Sequence, residues 1–163
     1  MSTRVETLIR DYPQMVVEKK CLADQLAHFR GLSAAEVIES MYTPVVSGDH
    51  VQTSGTSDKT AQIALNYRER MERINREWFE HLEQQLRSLN DELAFFEATL
   101  RSMPDGMAEV MSDLVTTQLT WEAIAAKHHM SRANVGKIRK RCIAIMDTLY
   151  EAHDQVTTAY LLS

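Results

Sequence analysis

The chain has 163 residues, of which 44% are apolar and 25% charged, and a formal net charge of -5. That length favours one compact unit with at most an appendage, and the balanced composition excludes wholesale disorder and fibrous repeats. Five Gly and three Pro leave few breaks, which favours long helices over a many-stranded sandwich.

No stretch approaches the roughly 20 consecutive apolar residues of a membrane span, and Met1 to Arg10 lacks the apolar run of a secretory signal, so a cytoplasmic protein is expected. Cys21 and Cys142 fall inside helical patterns with no CxxC or ligand-spaced His beside them. Both read as buried apolar fillers rather than parts of a disulfide framework or zinc site.

From Thr3 to Phe29, Val5, Leu8, Ile9, Tyr12, Val16, Leu22, Leu26 and Phe29 fall mostly at three- and four-residue spacings, predicting an amphipathic helix kinked or restarted near Pro13. Gly31 ends it. Ser33 with Glu36 forms a capping-box pattern that opens a short helix through Met41. Residues 42–57, with Pro44, Gly48 and Gly55 among small polar residues, read as a linker.

The longest pattern follows: Ile63, Tyr67, Met71, Ile74, Trp78, Leu82, Leu86, Leu89, Leu93, Phe96 and Leu100 form one stripe. Its mean spacing of about 3.7 residues exceeds the 3.5 of a left-handed coiled coil, so a nearly straight helix is expected. Phe79 and Phe95 widen the stripe, which implies more than one packing neighbour. Pro104, Asp105 and Gly106 then interrupt the chain, and Met107 to Gln118 is helical with Met107, Val110, Met111, Leu114 and Val115 inward.

Trp121 to Lys140 carries the pattern of a helix-turn-helix. Thr120 caps a first helix and Ser131 a second, while Ile124, Ala125, Val135 and Ile138 face one another, with Met130 and Leu119, as a small core. Between Lys127 and Arg141 stand six basic residues and no acid, against 12 basic and 23 acidic residues elsewhere. An acidic chain with one basic block has the charge footprint of a nucleic-acid surface. Arg132, Ala133, Asn134 and Lys137 are candidate base contacts, since Arg and Lys suit guanine, Asn adenine and Ala a thymine methyl. Ser131, Arg139, Lys140 and Arg141 are candidate phosphate contacts, Arg132, Lys137 and Lys140 being expected on one face opposite Val135, Ile138 and Cys142. Gly136 suggests close approach of DNA or of the neighbouring helix.

The segment Met107 to Met146, with Thr120-Trp121-Glu122-Ala123-Ile124-Ala125 followed by Ser131 to Lys140, resembles the region-four DNA-binding domain of bacterial sigma factors. Asp11-Tyr12-Pro13, Met41-Tyr42-Thr43-Pro44-Val45, the linker, and Ser57-Asp58-Lys59-Thr60-Ala61 before a long helix are similar to phage late-gene transcription activators of the RinA/ArpU-like type. The resemblance implies a regulator in the cytoplasm of a bacterial host cell, binding promoter DNA beside RNA polymerase. His128 and His129 depart from the pattern, which usually has an apolar residue and then glycine in the turn.

The expectation is therefore an all-α protein: a helical hairpin over residues 1–102 and a helix-turn-helix module over 103–163, binding double-stranded DNA. A small terminase-like DNA-packaging subunit and a helical adaptor without DNA are the alternatives. His128 with His129 read as turn residues near phosphate rather than a metal pair, and Glu77, Glu80, His81 and Glu83 as a solvated face. With no phosphate loop, nucleophile elbow or paired catalytic acids, neither catalysis nor a cofactor is expected. Ile138, Cys142, Ile145, Leu149, Ala152, Val156 and Ala159 recur at a strict 3.5-residue period. That is either the seam of a homodimer or a face packed on the chain's own N-terminal helices.

Overall fold

The computed structural model describes residues 3–36, 39, 56–104 and 106–163. The protein is all-helical among these residues, with α1 Arg4–Ala27, α2 Thr56–Arg101, α3 Met107–Thr116, α4 Trp121–Lys127 and α5 Arg132–Leu161. None of these helices is long and apolar enough to cross a membrane. Local chemistry starts them where expected. Thr3 accepts from the Glu6 amide at 3.2 Å while Glu6 accepts from the Thr3 amide at 3.1 Å, a reciprocal cap at the head of α1. Ser33 and Glu36 repeat it, the Ser33 amide donating to Glu36 at 2.8 Å and the Glu36 amide to the Ser33 hydroxyl at 3.3 Å. Met41 and the linker up to residue 55 lie outside the described residues, and α2 begins at Thr56.

The chain divides into two compact units, one of residues 1–20 with 88–163 and one of 21–87. This differs from a division after residue 102, and the reason is a shared core. Val5 and Leu8 of α1, Phe96 and Leu100 of α2, Met107, Met111 and Val115 of α3, and Cys142, Ile143, Met146 and Tyr150 of α5 form one buried cluster. The two terminal segments cannot bury these side chains separately. Polar ties cross the same interface: the Tyr12 hydroxyl donates to Glu97 at 2.9 Å, and Arg4 lies over the Tyr150 ring at 4.9 Å while pairing with Asp154 at 2.6 Å.

In the unit of residues 21–87, Phe29 meets the ring edges of Trp78 and Phe79, each centroid 5.3 Å away. Trp78 and Phe79 stay partly exposed all the same, so the expected stripe is buried only in part there. Gly31, at φ +68°, lets the chain turn so that Asn75 can accept from the Leu32 amide at 2.7 Å. A Cβ on Gly31 would stand 2.4 Å from the Asn75 side chain, whereas one on Gly136 would meet Trp121 at an ordinary 3.5 Å. The same substitution therefore has opposite signs. Gly31→Ala should cost about 1–3 kcal/mol of stability, and Gly136→Ala, inside α5, should add about 0.5–1 kcal/mol. Thermal melts of the two variants check both signs.

Several expectations need correction. Pro13 lies within α1 with no restart, since losing one amide bond leaves the rest of a 24-residue helix and its buried face intact. Cys21 is exposed while Cys142 is buried, because only Cys142 lies on a helix face that the core covers. Gly136 is not forced by a close neighbour.

Candidate nucleic-acid interface

Helices α3, α4 and α5 pack pairwise on one another. Val110 of α3, Ile124 and Ala125 of α4 and Val135 of α5 are their buried centre, with Leu114, Met130 and Ile138 at its edge. Leu119 is exposed instead of joining them, because it falls in the connection between α3 and α4. Thr120 caps α4 by accepting from the Ala123 amide at 3.2 Å, and Ser131 caps α5 by accepting from the Asn134 amide at 3.2 Å.

The turn between them has a defined closure. His129 has φ +53°, the Met130 amide reaches the Ala125 carbonyl at 2.9 Å, and the His129 amide points to Ala126 at 3.3 Å. This is the Schellman bond pair, with Met130 packed against the core that contains Ala125. His129 thus occupies the left-handed position at which glycine is usual, so departure from the familiar turn sequence leaves a conventional turn backbone.

His128 differs more from the expectation. Its side chain is largely buried, and its Nε2 lies 2.6 Å from a carboxylate oxygen of Asp113 on α3, which also accepts from Lys127 Nζ at 2.8 Å. It is a structural anchor of the turn, not an exposed residue beside phosphate. The Lys127 hydrogen bond chiefly holds the Asp113 carboxyl below the usual carboxylate range; burial opposes this and His128 adds to it. No spacing rule links positions 14 and 15 residues apart on different helices, so Asp113 carries no sequence signal of this role.

The basic block divides by environment. Lys127 is drawn to Asp113, and half-buried Arg139 faces Glu6 of α1 at 3.9 Å. Arg132 pairs with Glu122 of α4 at 3.1 Å, both side chains about two-thirds exposed. Five positions separate Arg132 from Lys137, about 140° around the helix, so Arg132 lies on the flank beside α4 rather than on the same face as Lys137 and Lys140. Ala133, Lys137, Lys140 and Ala144, at spacings of four, three and four, share an exposed face with Arg141 at its edge. Lys137, Lys140 and Arg141 have no acidic partner among the described residues. Ser131 and Asn134 are exposed at the start of the helix, and the Ser131 hydroxyl, an acceptor in the cap, keeps its hydrogen for a ligand. Val135, Ile138, Cys142 and Met146 occupy the inward side.

The heptad stripe divides too. Cys142 is buried and Ile138 and Ile145 half-buried in the chain's own core, whereas Leu149 is 40% and Val156 72% exposed.

No protein-family model, curated protein or solved structure matches this chain.

Proposed function

We propose that α4, its turn and the first half of α5 are a helix-turn-helix that binds double-stranded DNA, with α5 entering the major groove. The observation that carries this reading is the exposed face of Lys137, Lys140 and Arg141, three cations without acidic partners among the described residues, in a chain of net charge -5. It lies opposite the buried side of α5, so it reaches a ligand without disturbing the core. Ala133, Asn134 and Lys137 read base edges; Ser131, Lys140 and Arg141 hold phosphates. Arg132 joins the base readers by leaving Glu122, and an exposed pair of this kind costs only about 0–1 kcal/mol to break. Arg139, whose pair with Glu6 is long at 3.9 Å and partly exposed, holds a phosphate by the same exchange.

The resemblance to sigma region four and to phage late-gene activators extends the reading to a transcription activator at promoter DNA, with host RNA polymerase as second partner. Arg132→Ala should weaken binding to a specific site by about 1–3 kcal/mol and relax base preference, whereas Lys140→Ala should weaken all sequences alike and lower the salt slope by about 1. Titrations of specific and random duplexes at several salt concentrations separate the two. Equal losses on both duplexes for Arg132→Ala would remove it from the base readers.

A further inference from the structure

The end of α5 is a helix with an apolar face that no described residue covers. Core contacts on α5 run as far as Tyr150, whose ring is held by Phe95 and Arg4, and as far as His153 and Asp154 on that same side. Leu149, Ala152, Val156 and Ala159 lie around the helix from these, all exposed, and they continue the 3.5-residue period. We infer that this stripe docks a second copy of the same chain.

The flanks of the stripe argue for a copy rather than a different partner. In the heptad that places Leu149 and Val156 at one core position and Ala152 and Ala159 at the other, the adjoining positions are Thr148, His153, Gln155 and Tyr160. None carries the fixed charge by which coiled coils select an oppositely charged partner, and two identical stripes meet without repulsion. The acids Asp147, Glu151 and Asp154 all fall on the far positions. Four stripe residues make an interface well below the standard size of about 1,600 Å², so association is weak and reversible in free solution. Two copies bound side by side on one duplex would gain from it through their raised effective concentration.

Sedimentation equilibrium of the full chain without DNA, from micromolar to near-millimolar concentration, tests this independently of the DNA reading. The mass should rise from 18.7 kDa toward twice that value. Val156→Glu should lower the association constant at least about tenfold, since it buries a charge in the seam. Thr158→Glu, exposed on the same turn but outside the stripe, should leave it unchanged. Circular dichroism checks that both variants keep their helix content, as substitutions at exposed positions should. A wild type that stays at 18.7 kDa throughout, or a Val156→Glu variant that associates like wild type, overturns the inference.

Discussion

Val135→Asp should unfold the unit that holds α3, α4 and α5, at a cost of at least about 4 kcal/mol. Val135 is fully buried against Val110, Ile124 and Ala125, none of which offers a hydrogen bond from its side chain. An aspartate there must either leave its charge without solvent or a partner, or take up a proton and remain an unsatisfied polar group. Total stabilities of domains are about 5–15 kcal/mol, so one such change can remove most of the margin. The effect also spreads, because Met107 and Met111 of the same α3 belong to the cluster with Phe96, Met146 and Tyr150. Hydrogen exchange over residues 107–146 should lose its protection in this variant. Unchanged protection would mean that Val135 is not at the centre of the packing.

The second large effect is expected at Asp113. Asp113→Ala removes the acceptor shared by Lys127 and His128 and leaves the largely buried imidazole without its partner, which should cost about 2–3 kcal/mol. The difference from wild type should depend on pH in a defined direction. Because the folded carboxyl titrates below its ordinary value of about 3.9, the stabilisation is fully present above that value. It is lost as pH falls through the folded one. Urea melts of wild type and Asp113→Ala should therefore differ most near neutrality and converge under acid conditions below about pH 4. A constant gap down to strong acid would show that the carboxylate charge is not what holds the turn. The same variant should weaken DNA binding without touching a contact residue, since His128 leads directly into the turn that aims α5.

The parts of this structure that were legible in the sequence are those written in local spacing. The 3.5- to 3.7-residue periods of α2 and α5 located long helices, and Thr120 and Ser131 located two caps within a residue, because a cap is satisfied by an amide three positions away. Burial was less legible. Periodicity says which residues share a face but not whether a neighbour covers that face, so Trp78 and Cys21 read as interior although Cys21 is exposed and Trp78 only partly covered, and for Leu149 the pattern leaves two neighbours open. Long-range polar pairing was not legible at all. Arg139 with Glu6, and His128 with Asp113, join residues whose approach depends on how helices pack, so charge counting does not show that Lys127 and Arg139 each have an acidic neighbour. The division of the chain followed from the same packing, as Val5 and Leu8 at one end need Cys142 and Met146 near the other to be covered.

Nuclease protection on the genomic DNA that carries this chain's gene is the decisive experiment for DNA binding by the outward face of α5. A discrete footprint on promoter DNA is expected, abolished when Lys137, Lys140 and Arg141 are all replaced by Ala in a protein that keeps its helix content. No footprint at low salt, or a footprint that the triple variant retains, would mean that this face does not bind DNA.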